Sequence, residues 1–212
     1  MTKVLLVDDH QLVRAGIHRI LDEADDIHVV GEAESGEEAL RLVRAECPDV
    51  VLMDVHMPGI GGLEATRKLL RVDPGLRVIA LTVHVREPYP SSLLEAGAMG
   101  YLTKGCDERE IIRAIRTVAA GRRYIGADIA QQMAIAGLEG GDRPFDKLSQ
   151  REMQVMMMVT EGYRLQEISD RLCLSPKTVS TYRYRLYEKL GVSNDVELTR
   201  LVIRYGLVDG DA

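Results

Sequence analysis

The sequence predicts an α/β chain: a doubly wound, five-stranded parallel sheet of the flavodoxin-like kind, followed by a small all-α domain of four helices that includes a helix-turn-helix. Three observations carry this. Short β-branched or aliphatic runs alternate with stretches of helical apolar spacing as far as residue 122; strand signals then cease; and four helices in the remainder are bracketed by caps of their own.

The strand signals are Lys3 to Val7, Ile27 to Val30, Val50 to Met53, Val78 to Leu81 and Gly100 to Thr103. Between them Val13, Ile17, Ile20 and Leu21, then Ala39, Leu40 and Val43, then Ile111, Ile112, Ile115 and Val118 each mark one apolar helix face. Parallel neighbours need right-handed crossovers, so this alternation implies a sheet covered by helices on both faces. In such sheets function gathers at the carboxyl ends of the strands, beside the topological switch point.

After Gly121 the pattern loosens. Ile125 to Ala136 suits a short helix, and Gly137 to Pro144 is built from chain breakers. The expected organisation is a first domain over residues 1–122, a linker with a short helix over 123–144, and a second domain over 145–212. In that second domain Ser149 with Glu152 forms a capping-box pattern, opening a helix through the methionines to Thr160 that stops near Gly162. Leu165 to Leu172 makes a second helix. Ser175 before Pro176 opens a third, which Gly191 closes, and the fourth runs from Ser193 or Asn194 to about Tyr205. Met156, Met157 and Met158 read as core and gap-filling surface.

Composition sets the bounds. The chain has 212 residues, 46% hydrophobic and 28% charged, ordinary globular usage that excludes a disordered, fibrous or collagen-like protein. The net charge of −6 is unevenly spread: 15 Lys+Arg face 20 Asp+Glu in residues 1–122, 2 face 4 in 123–146, and 10 face 9 in 147–212, so the two ends have different tasks. Cys47, Cys106 and Cys173 lack zinc-site spacing and read as reduced thiols of a cytoplasmic protein. No run approaches the ~18 apolar residues of a membrane span.

Asp8 and Asp9 follow the first strand and Asp54 the third, so three carboxylates project from neighbouring strand ends. At about 4 Å and an effective dielectric of about 20, each like-charged pair repels by roughly 4 kcal/mol, which calls for a cation. Magnesium, which favours oxygen ligands and a phosphate partner, suits the set. Thr82 after the fourth strand adds a hydroxyl, and Lys104 after the fifth adds a mobile cation. Taken alone, the acid pair would cap the first helix.

Val4-Leu5-Leu6-Val7-Asp8-Asp9, Asp54 before Met57-Pro58-Gly59, Thr82, and Tyr101 three residues before Lys104 closely resemble the receiver family of two-component signalling. The resemblance implies that Asp54 accepts a phosphoryl group from a sensor histidine kinase or phosphotransfer protein. It implies that Asp8, Asp9, Asp54 and the His56 carbonyl hold Mg2+, Asp8 through water. Thr82 and Lys104 would grip the phosphoryl group, with Tyr101 turning inward as the switch. His56 and His84 flank the site and would influence how long the phosphate survives. Gly105 stands where many receivers have proline after the lysine, which excludes a cis-proline there.

In the second domain, setting Val179 at the centre of the buried side of its helix places Tyr182, Leu186 and Leu190 with it. Lys177, Ser180, Thr181, Tyr184 and Arg185 lie opposite, and Arg183 falls beside the buried edge. Cations, hydroxyls and an aromatic on one face suit phosphates and base edges. Leu148-Ser149-Gln150-Arg151-Glu152, Glu167-Ile168-Ser169, Leu174 to Val179 and Lys189 to Val192 strongly resemble the LuxR-type DNA-binding domain. That likeness implies double-stranded DNA as partner, with Ser180, Thr181 and Tyr184 nearest the bases, Lys177 and Thr178 nearer the backbone, and Arg183 and Arg185 on phosphates.

Receiver plus this effector is the NarL/FixJ architecture, and Met57 to Lys68, Asp128 to Ala134 and Ser175 to Arg185 look like its GacA/UvrY branch. The branch implies a hybrid sensor kinase and activation of small regulatory RNA genes. The glycine-rich linker suggests release of the DNA-binding domain on phosphorylation, and because one short helix reads only a few base pairs, a homodimer on an inverted repeat is expected. Val202 and the Leu207-Val208 end are candidates for the dimer contact, with core packing the alternative. Other readings are a receiver-controlled module binding RNA or a protein, or an aspartate-nucleophile phosphatase. The phosphatase usually wants a second aspartate where His56 stands.

Overall fold

The computed structural model describes residues 1–82, 89–138, 144–205 and 207. Strands β1 (Thr2–Val7), β2 (Ile27–Ala33), β3 (Val50–Asp54), β4 (Arg77–Thr82), β5 (Gly100–Thr103) and β6 (Tyr124–Ile125) form one sheet. Their order is β2-β1-β3-β4-β5-β6 and every pairing is parallel. The five expected strands are present, most of them longer by one to three residues. The sixth comes from the segment expected to be linker, and two residues are too few to leave a period in the sequence.

The sheet takes helices α1 (Gln11–Asp22), α2 (Gly36–Glu46), α3 (Gly61–Val72), α4 (Tyr89–Glu95) and α5 (Glu108–Ala119). Alternation along β1 sorts them. Val4 and Leu6 pack with Ile17 and Leu21 of α1 and with Ile111, Ile115 and Val118 of α5. Leu5 and Val7 pack on the opposite face with Ala39 and Val43 of α2 and with Ala65 and Leu69 of α3. With both faces covered, β1 and β3 are buried throughout their middles, as parallel strands require. Because β2 lies on one side of β1 and β3 on the other, the ends of β1 and β3 border the switch point, and Asp8 and Asp54 meet there.

The chain divides into two compact units, Met1–Ala136 and Gly137–Ala212. Helix α6 (Ala127–Leu138) runs on through Gly137, where the sequence suggested a break. In the second unit α7 (Gln150–Thr160), α8 (Leu165–Arg171), α9 (Pro176–Leu190) and α10 (Asp195–Arg204) match the capped segments. Ser149 and Glu152 form a complete capping box, Ser175 accepts from the Thr178 amide ahead of Pro176, and Gly191 ends α9 at φ 66°. Met156 and Met157 are buried with Val155, Ile168, Val179, Leu186 and Leu198. Val202 and Leu207 belong to this core too, which removes them as candidates for a dimer contact; Val196 and Ile203 are the exposed apolar side chains of α10. Val208 lies outside the described residues.

The tightest approach beneath the switch point is at Gly62, where an added Cβ would fall 2.0 Å from the Asp54 carbonyl oxygen and 2.9 Å from Val55 Cα. Neither backbone atom can yield without moving β3. Gly62→Ala is therefore expected to destabilise this unit by about 3 kcal/mol, read as a lower urea midpoint for its unfolding transition.

Candidate functional site

The pocket is assembled from strand ends. Asp8 leaves β1 with its amide bonded to the Ala33 carbonyl, and its Oδ1 accepts from the His10 amide at 2.9 Å. Asp54 ends β3, where its Oδ1 accepts from the His56 amide at 3.0 Å while Val55 N–H bonds to the Leu81 carbonyl of β4. Lys104 follows β5, its amide held by the Thr82 carbonyl at 2.7 Å. Its ammonium lies 2.7 Å from Asp8 Oδ2 and 2.9 Å from Asp54 Oδ2. Thr82 and Tyr101 are wholly buried.

Burial decides the electrostatics. Asp8 and Asp54 are 2% and 1% exposed, whereas Asp9 is partly open to solvent. Loss of hydration pushes the Asp54 carboxyl up to about 6; Lys104 pulls it down and the Asp8 charge pushes it up again. Burial alone would lower the Lys104 ammonium, but Asp54 and Asp8 more than offset this, and its pKa is raised. One lysine thus faces a group of anions. Carboxylate oxygens of Asp8, Asp9 and Asp54 and a ring nitrogen of His10 come within 4.8 Å of one another. A largely oxygen donor set with surplus negative charge fits a divalent cation of the harder kind. His10 was not among the expected residues, although it directly follows the acid pair; its Nδ1 sits 3.0 Å from Asp9 Oδ1 and 3.3 Å from Asp8 Oδ1. His84 lies outside the described residues.

The second cluster is the outer face of α9. Lys177, Ser180, Thr181, Tyr184 and Arg185 are exposed and Thr178 is partly so, while Val179 and Leu186 are buried on the other side. Tyr184 is 69% exposed, a high value for an aromatic side chain. Tyr182 and Leu190, expected on the buried face, are half-buried. Arg183 departs from the outward set. Its guanidinium pairs with Asp195 at the start of α10 and bonds to the Tyr187 hydroxyl at 3.1 Å, and Tyr187 bonds to the same carboxylate. Arg183 therefore ties α9 to α10. At the far end of α9, Lys189 reaches Glu152 at 2.7 Å and the Lys147 carbonyl at 3.0 Å, bracing the helix against α7.

Comparison with known proteins supplies the context. Residues 4–116 match the response regulator receiver domain, and residues 146–202 match the bacterial regulatory proteins of the luxR family. The chain is 56% identical to the response regulator GacA of Pseudomonas syringae over 214 residues, covering all of both. It is 54% identical to the response regulator UvrY of Escherichia coli over 213 residues, all of this chain and 98% of that one. Among solved structures it resembles RcsB of Salmonella enterica serovar Typhimurium bound to the promoter rprA with a beryllium fluoride phosphomimetic. There the TM-score is 0.69 at 27% identity, over 96% of this chain and 99% of that one.

The raised Asp54 pKa has a testable sign. Below about pH 4 its carboxyl is protonated folded or unfolded; between its ordinary 3.8 and about 6 the unfolded chain ionises first, so stability falls as pH rises through that window. At pH 7.5 the fold then carries a cost of about 2–3 kcal/mol. In divalent-free buffer Asp54→Asn is expected to melt higher than wild type at pH 7.5, with the gap closing near pH 4. A variant that melts lower at pH 7.5 would contradict this electrostatic account.

Proposed function

This chain belongs to the response regulators that join a receiver domain to a LuxR-type DNA-binding domain, and from that membership we propose that Asp54 is the phosphoacceptor whose modification governs DNA binding through α9. The chain is a phosphorylation-dependent DNA-binding transcription regulator. The observation that carries the residue assignment is the placement of Asp54 at the switch point, buried and paired with the Lys104 ammonium that also reaches Asp8.

In the proposed chemistry the phosphorus–nitrogen bond of a phosphohistidine breaks as a bond forms to an Asp54 carboxylate oxygen. The imidazole leaves with the electron pair and takes up a proton. Oδ1 is engaged by the His56 amide, which leaves Oδ2, facing Lys104, to attack. Burial strips this oxygen of hydration yet leaves it ionised at neutral pH, a favourable state for a nucleophile. Lys104, released from Asp54, pairs with a phosphoryl oxygen, and the Thr82 hydroxyl donates to another. Asp9, Asp54 and the His56 carbonyl, with Asp8 through water, would hold Mg2+, which would supply positive charge to offset that of the transferred group. Tyr101 follows Thr82 as the switch. The chemistry stays on this one aspartate, with no second substrate turned over.

The outer face of α9 reads duplex DNA, Ser180, Thr181 and Tyr184 at base edges and Lys177, Thr178 and Arg185 toward the backbone. Phosphorylation frees this face and favours a homodimer on an inverted repeat, since one short helix reads few base pairs. Likeness to the GacA and UvrY regulators supports a hybrid sensor kinase as donor and small regulatory RNA genes as targets. Such a regulator works in the cytoplasm, where chromosomal DNA lies. No helix among the described residues is long and apolar enough to cross a membrane.

Two measurements test the reading. Magnesium and a small phosphodonor are expected to add roughly one PO3 group to wild type by intact mass, and none to Asp54→Asn; footprinting should show phosphodonor-enhanced protection with wild type alone. Enhancement undiminished in Asp54→Asn would refute the assignment. On DNA, Lys177→Ala should weaken binding across sequences and reduce the salt slope by about 1. Arg183→Ala should leave that slope unchanged and instead lower the stability of the second unit by about 1 kcal/mol.

A further inference from the structure

We infer that Arg14 is a positioning residue for the phosphoacceptor pocket, setting its affinity for a divalent cation by fixing the peptide that joins Asp8 to Asp9. This rests on reading the pocket as magnesium-dependent. Arg14 stands in the first turn of α1 and is 6% exposed, an unusual place for a guanidinium. It is satisfied from three directions. Nη1 donates to the Asp8 carbonyl at 2.6 Å, Nε to Glu32 at 3.1 Å, and Nη2 to Glu34 at 2.7 Å.

The Asp8 carbonyl belongs to the Asp8–Asp9 peptide, so the plane of that peptide sets the direction in which the Asp9 side chain leaves the backbone. The Asp8 amide is anchored on Ala33, and the His10 carbonyl accepts from the amides of Val13 and Arg14. Arg14 adds a bond to the carbonyl of the Asp8–Asp9 peptide itself. Glu32 lies on β2 and Glu34 just past its end, so one planar fork spans β1, α1 and the end of β2.

Charge is a weaker explanation than geometry. The Arg14 cation faces two carboxylates, Glu32 and Glu34, so the cluster carries no net positive charge with which to attract Asp8 and Asp9. A buried ion pair is also a poor stabiliser compared with apolar packing of the same volume. What the arrangement supplies is a fixed direction for two of the acids that gather at the pocket.

The test is calorimetric titration of Mg2+ into the full chain, alongside thermal melting. Arg14→Met and Arg14→Lys are both expected to weaken magnesium binding by about tenfold, as loss of a partner that orients metal ligands does, the lysine failing although it keeps the charge. Phosphorylation of Asp54 by acetyl phosphate should recover at saturating magnesium. A merely structural role would lower the melting temperature and leave the magnesium affinity of the folded protein unchanged; that result would overturn the inference, as would full rescue by Arg14→Lys. Should neither Arg14 variant fold, Glu34→Gln, which loosens one anchor of the fork, decides: weaker magnesium binding supports the inference and unchanged binding sinks it. Wild type that binds no magnesium would instead overturn the reading of the pocket itself.

Discussion

Three carboxylates are brought to one switch point and, among the described residues, one lysine pairs with two of them. That imbalance organises the first unit. The parallel sheet forces the ends of β1 and β3 together, so Asp8 and Asp54 are neighbours whatever their side chains prefer. Lys104 reaches both from β5 because its amide is pinned to the Thr82 carbonyl. Burial then keeps Asp8 and Asp54 poorly hydrated, so any cation or phosphoryl group that alters their balance acts on strands β1, β3, β4 and β5 at once. A local change of charge becomes a change shared across the sheet.

The second unit solves a different problem, holding one helix rigid while leaving its outer face bare. Lys189 with Glu152 braces α9 against α7, and Arg183 with Asp195 and Tyr187 braces it against α10. The inner side of α9 meets the core through Val179 and Leu186. Cations at the two ends of such a helix are not equivalent: some are spent on the fold and others face solvent. Net charge per domain cannot distinguish the two.

Most of the fold was legible in the sequence because its signals are local. Alternating strand and helix periods marked β1 to β5, and caps at Ser149, Ser175 and Gly191 bounded the later helices to within a residue or two. The gathering of Asp8, Asp9, Asp54 and Lys104 was legible as well, since each follows a strand signal. What escaped was non-local. Nothing near Arg14 in the chain announces that its guanidinium is buried, because its partners come from β1 and from the end of β2. For Val202 the sequence left dimer contact and core packing open; it is buried in the second unit, and its neighbour Ile203 is the residue turned outward. Arg183 sat on the wheel's boundary, and only the position of Asp195 decides its direction.

The two-residue strand β6 has a bearing on how this protein is handled. The Tyr124 amide bonds to the Met99 carbonyl and the Gly126 amide to the Tyr101 carbonyl, and so they close the outer margin of β5. Tyr124 is fastened in turn by Arg113 and Glu110 of α5. Severing the chain after residue 122 would strip that border and bare a row of unsatisfied backbone groups, the template on which strands of separate molecules stack. A trimmed amino-terminal fragment intended for isolated study should therefore extend past Gly126, or self-association will be mistaken for signalling behaviour.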